Sequence, residues 1–117
     1  GGVHRLPRHM PLKIAMGMML TGRPITAQRA SELGLVNEVV PPADLLACAA
    51  RFAGWIVECA PLSVQATKQA ALHGSGRPLA EALGGDYPAV RKLFRSTDAK
   101  EGPLAFAQKR KPQWQGR

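Results

Sequence analysis

Residues 20–41 read LTGRPITAQRASELGLVNEVVP, and their punctuation decides what kind of chain this is. Gly22 and Pro24 end any helix arriving from the amino-terminal side, because glycine enters left-handed backbone freely and proline lacks the amide a helix needs. Thr26 is a candidate N-cap for a short helix, TAQRASEL, and Gly34 stands where a helix C-terminus wants a residue at positive φ. Between Gly34 and the pair Pro41-Pro42 lies LVNEVV, a short β-branched run that predicts one strand over residues 35–40. A lone strand cannot pair with itself. It must add to a partner sheet or pack as an extended connection, so this stretch already points to a piece of something larger.

On the amino-terminal side, residues 7–21 (PRHMPLKIAMGMMLT) are apolar around much of a helical circumference and predict a buried helix. On the other side, Leu45, Ala49, Phe52 and Ile56 fall on one stripe, flanked by Leu46, Ala53 and Val57, the pattern of an amphipathic helix. Pro61 suits the first turn of a further helix, LSVQATKQAALH, closed by Gly74 and carrying a weak, small-residue face. Residues 78–95 are helical in pattern but interrupted at Gly84, Gly85 and Pro88, which predicts a kink or a break with Asp86 capping the second half. Gly102-Pro103 is read as opening a last helix, LAFAQKRK. The fold class is therefore mainly α, with one short strand near residues 35–40.

Composition narrows the functional classes. The 117 residues are 45% hydrophobic, enough for a modest core. No apolar run of about 18 residues is present, and GGVHRLPRHM lacks the apolar stretch of a secretory signal. The expectation is a soluble, cytoplasmic protein with no membrane partner. Cys48 and Cys59 sit within apolar helical pattern without a second metal-ligand type at zinc spacing, and read as reduced core residues. The net charge of +8 is concentrated at the two ends: residues 32–90 carry three Lys/Arg against six acids, whereas 91–117 carry eight against two. Such a field attracts a nucleic acid, an acidic membrane surface or a small polyphosphate, and charge alone does not choose among them.

Motifs for common chemistries are missing: no G-x-S-x-G, no H-E-x-x-H, no phosphate-binding G-x-x-x-x-G-K and no G-x-G-x-x-G occur. Glu32, Glu38, Glu58 and Glu81 are scattered and read as solvated faces. His4 and His9, five apart, match neither helical nor zinc spacing and read as surface or capping residues. No metal site and no catalytic residue are assigned. GGVHRLPR could cradle an anion with its glycine amides and arginines, a weak motif in isolation.

Taken in order, GGVHRLPR, L-T-G-x-x-I-T-A-x-x-A-x-x-x-G-L-V-N-x-V-V-P, SVQATKQA and E-G-x-x-A-F-x-x-K-R-x-P-x-W resemble the C-terminal part of the crotonase superfamily, the enoyl-CoA hydratases and isomerases. The resemblance runs from the first residue to the last. It implies that residues 1–41 are the end of the α/β core, a spiral of β-β-α turns, and that residues 42–117 are the C-terminal helical region through which the family builds trimers and dimers of trimers. Gly1 and Gly2 would be the remnant of a glycine-rich active-site loop. The oxyanion-hole amides and the two glutamates of hydratases would lie upstream of them, so the 117-residue chain is expected to be inactive alone. Hydration of a 2-enoyl-CoA, as in fatty-acid oxidation, needs two N–H groups facing the thioester oxygen and carboxylates to move protons.

The resemblance further implies that Phe106 and Lys109 contact the adenosine end of a CoA thioester, which serves as substrate; no cofactor is implied. Three apart on a helix, the two would share a face, a flat apolar ring beside an ammonium. Core packing of Phe106 is the alternative. Arg110 and Lys111 point elsewhere by helical spacing and would solvate the helix C-terminus, and Trp114 is read as an anchor for the tail. Two features depart from the family pattern: the break at Gly84, Gly85 and Pro88, and His4 after the paired glycines. Two other readings stand beside the hydratase one. One is a different crotonase such as an enoyl-CoA isomerase, and the other a basic helical module binding nucleic acid through its positive ends. The second is disfavoured because the aromatics lie mainly within apolar pattern instead of among the basic residues.

Overall fold

The computed structural model describes all residues 1–117. The elements in order are α1 (Gly2–Arg5), a 3-10 turn (Leu6–Arg8), α2 (Leu12–Thr21), α3 (Ala27–Glu32), a second 3-10 turn (Pro42–Asp44), α4 (Leu45–Val57), α5 (Pro61–Gly74), α6 (Leu79–Leu83), α7 (Pro88–Phe94) and α8 (Asp98–Ala107). Thr26 caps α3 as expected, its hydroxyl accepting from the Arg29 amide at 3.1 Å. Gly34 then turns the chain at φ 73°. The Gly34 amide donates to Ser31 (2.9 Å) and the Leu35 amide to Ala30 (2.8 Å), the paired bonds of a Schellman turn.

The strand expected over residues 35–40 does not form; the structure contains no β-strand. Leu35 spends its amide closing α3, and the extended backbone that follows meets no second extended segment with which to build a ladder. β-branched composition predicts a strand only where a partner exists. Residues 38–41 therefore run as an irregular connection into the turn before α4.

Two compact units emerge, Gly1–Cys48 and Ala49–Arg117. In the first, the helix expected over 7–21 is shorter, beginning at Leu12, and it is not buried: Ala15 is enclosed, while Leu12, Met16 and Leu20 are exposed. Arg8 donates to the His4 carbonyl (3.2 Å), and His9 closes the 3-10 turn. In the second unit, α5 packs against α6 and α7, and its buried residues are Leu62 and Ala66. Pro61 opens α5, as expected.

The interruption at residues 84–88 is a break. Asp86 does not cap α7; it pairs with Arg91, and the amide of Ala89 is instead satisfied by Gln69 of α5 at 2.8 Å. The Tyr87 hydroxyl folds back onto the Ala82 carbonyl (2.7 Å), and its ring lies so close to Gly85 that a Cβ there would meet the hydroxyl oxygen at 2.7 Å. A side chain at Gly85 would have to displace that ring. Along α4 the helix forms as its periodicity predicts, yet Leu45, Leu46, Ile56 and Val57 are exposed. Cys48 is buried but Cys59 is exposed, correcting its expected core position: it lies past the end of α4, its thiol donating to the Trp55 carbonyl at 3.3 Å.

Candidate functional site

The site is built from α8 and the ten residues after it. Helix α8 starts at Asp98, earlier than Gly102-Pro103 predicts, because Ser96 supplies a cap: its hydroxyl accepts from the Ala99 amide (3.1 Å) while donating to the Leu93 carbonyl (2.6 Å). Pro103 lies inside the helix. Its missing amide forfeits one intrahelical backbone bond.

The tail then returns along α8 and is held by three residues of that helix start. Thr97 binds the Arg117 carbonyl through its amide (2.8 Å) and its hydroxyl (2.5 Å). The Asp98 carboxylate, only 3% exposed, accepts from the amides of Gln115 and Gly116, both at 2.8 Å. Glu101 accepts the Gln113 amide (2.7 Å) and grips the Arg110 guanidinium with both oxygens, at 2.6 and 2.9 Å. That geometry draws the Glu101 carboxyl down from 4.5 to about 2; the hydrogen bond from Arg110 is the larger cause, that from the Gln113 amide the next. Trp114 anchors the tail as expected, its indole N–H donating to the Glu58 carbonyl at 2.9 Å with the ring against Gly102.

Between helix and tail lies the decisive turn. Helix α8 ends at Ala107, so Lys109 does not share a helical face with Phe106; it stands beyond the helix at φ 51°, the one non-glycine residue in left-handed backbone. Its amide donates to the Phe106 carbonyl (3.1 Å) and the Arg110 amide to Ala105 (3.0 Å), the same Schellman pairing that closes α3. The two expected ligand contacts are therefore joined by a hydrogen bond across a turn instead of by helical spacing. Phe106 is 87% exposed and its neighbour Ala105 buried, so the ring is not core packing within this chain. Arg110 is not a bystander solvating the helix end; with the left-handed residue before it, its guanidinium lies on Glu101.

Other candidates are less organised. Gly1 and Gly2 start the short α1, where the Gly1 carbonyl accepts the Arg5 amide at 3.0 Å, and neither glycine has positive φ. An apolar groove of about 410 Å³ runs between α4 and α5, with Trp55 at its edge-on contact to Phe52 (5.0 Å) and Arg51 over the Trp55 ring at 5.4 Å. No group of three or more His, Cys, Asp or Glu residues is arranged to hold a metal ion, and no single helix is long and apolar enough to cross a membrane.

Comparison with known proteins places this architecture. The enoyl-CoA hydratase/isomerase family profile matches residues 1–117. The chain belongs to the enoyl-CoA hydratase/isomerase family. It is 42% identical to the carnitinyl-CoA dehydratase of Salmonella arizonae over 99% of its length and 46% of that protein's. It is 43% identical to the (E)-benzylidenesuccinyl-CoA hydratase of Thauera aromatica over 98% and 45%. Its fold superposes on an enoyl-CoA hydratase from Mycobacterium tuberculosis with a TM-score of 0.91 at 40% identity, covering all of this chain and 46% of that one. The chain thus spans somewhat less than half the length of these family members. Asp98 and Glu101, the residues that organise the site, were missed in the sequence because their partners are backbone amides and an arginine 9 to 18 positions away.

Proposed function

We propose that this chain is the C-terminal part of an enzyme that hydrates 2-enoyl-CoA thioesters, and that its own share of the work is to hold the adenosine end of the substrate and to build the oligomer. The observation that carries this reading is the pairing of an exposed Phe106 ring with Lys109 across one hydrogen-bonded turn. A bare aromatic face suits a purine, and a neighbouring ammonium suits a phosphate. The similarity to a carnitinyl-CoA dehydratase and an (E)-benzylidenesuccinyl-CoA hydratase supports the substrate class.

In this mechanism the chain supplies binding and orientation. Phe106 stacks against adenine, Lys109 neutralises phosphate charge, and the clamped tail keeps both in place while the reacting thioester lies on residues outside these 117. The exposed apolar residues of α2 and α4 are consistent with burial in a trimer. Without oxyanion amides and paired glutamates the chain alone does not hydrate crotonyl-CoA; loss of the enoyl absorbance above the buffer rate would overturn that assignment. In the full-length protein, Lys109→Ala and Phe106→Ala each weaken CoA binding by about 1 kcal/mol. Unchanged affinity in both variants would remove the ligand role.

A further inference from the structure

The turn that carries Lys109 is bounded by contacts from the same carboxylate that helps to hold the tail. A lysine at positive φ is a disfavoured conformation that persists only where its surroundings enforce it. Here the side-chain contact nearest the turn comes from one carboxylate. Glu101 binds Arg110, the next residue along, in fork geometry with both oxygens and takes the Gln113 amide besides. Gln108, the residue before Lys109, adds its side-chain oxygen to the Arg110 Nε at 2.7 Å. Lys109 is thereby flanked on both sides by residues locked to one guanidinium, and its amide is tied to Phe106.

From this geometry we propose that Glu101 is a positioning residue for CoA recognition. By fixing Arg110 it holds the left-handed turn at Lys109, and so sets the direction in which the lysine side chain leaves the backbone after Phe106. The proposal rests on the ligand role of Phe106 and Lys109 given above, but assigns a function to a residue that need not touch the ligand. If the clasp is lost, Lys109 relaxes toward ordinary backbone and its ammonium leaves the phosphate, although the side chain is intact.

The test is a double-mutant cycle in the full-length protein, with CoA affinity by calorimetry and steady-state kinetics on crotonyl-CoA and on the pantetheine thioester that lacks the nucleotide. Glu101→Gln is expected to weaken CoA binding about fivefold and raise KM for crotonyl-CoA while leaving kcat and the pantetheine substrate unchanged. In a Lys109→Ala background the same change is expected to have no further effect. An undiminished loss in that background, or no loss from Glu101→Gln where Lys109→Ala does weaken binding, overturns the positioning role alone. No loss from either Lys109→Ala or Phe106→Ala overturns the ligand reading and this proposal with it. Should Glu101→Gln not fold, Arg110→Gln reads the same contact from the other side, with the same outcomes expected.

Discussion

Two helices in this chain end in the same way and for opposite reasons. After α3 the chain reverses at Gly34 (φ 73°), and after α8 at Lys109 (φ 51°); both turns close with the same pair of backbone bonds. At Gly34 the conformation is free, because no side chain opposes it and a Cβ there would meet nothing within 4 Å. At Lys109 it is imposed from outside, by a salt bridge to Glu101 and a tail fastened at Asp98 and Thr97. A turn set by its own residue serves the fold, whereas a turn set by distant residues against preference is where a purpose beyond the fold is to be sought. Strain of this kind concentrates where function needs a side chain in one place.

The sharpest way to break the contrast is to unfasten the tail. Asp98 is buried with both oxygens engaged, so Asp98→Ala strands two amides and is expected to destabilise the protein by about 3 kcal/mol. Urea unfolding measures it. Hydrogen exchange should show the amides of Gln115 and Gly116 losing protection while those of α3 are unchanged; equal loosening throughout would deny that the tail is a separate device.

At the other turn, Gly34→Ala tests whether the conformation is truly local. Since the site is open, the cost is that of positive φ alone, about 1 kcal/mol. CoA affinity should not change, because nothing proposed to bind ligand depends on that turn.

The same division governs what the sequence could reveal. The cap at Thr26, the stop at Gly34 and the proline opening α5 were legible because each signal and its effect lie within one turn of backbone. The strand over 35–40 was misread because propensity reports the residue and not the absent partner. Helix α8 was started too late because Gly102-Pro103 is a conspicuous signal and Ser96 an ordinary one. Nothing in KRK announces that the lysine is left-handed and the arginine folded back, since the arginine's partner is a carboxylate nine residues earlier.

Acid probes the imposed turn without mutation. The folded carboxyl of Glu101 titrates near 2, below its ordinary 4.5, so its contribution is fully present above about 4.5 and is lost as pH falls toward 2. Protection of the Gln113 amide should therefore persist at pH 5 and decline only below about 4, and the Glu101→Gln variant should lack that decline. A release between pH 5 and 7 would show that another group holds the turn.

The smallest effect is the most discriminating. Lys109→Gly replaces the one strained residue by the residue its backbone prefers, so the turn no longer needs enforcing. Stability should rise by roughly 0.5 kcal/mol, in contrast to the loss expected at Gly34. CoA affinity should fall, because the ammonium is gone, and it should fall about as far as in Lys109→Ala, which removes the same charge while keeping the strain. Stability and ligand affinity would then move in opposite directions at a single position. If Lys109→Gly were instead less stable, the lysine side chain would be contributing to the fold, and the strain at φ 51° would have to be explained without a ligand.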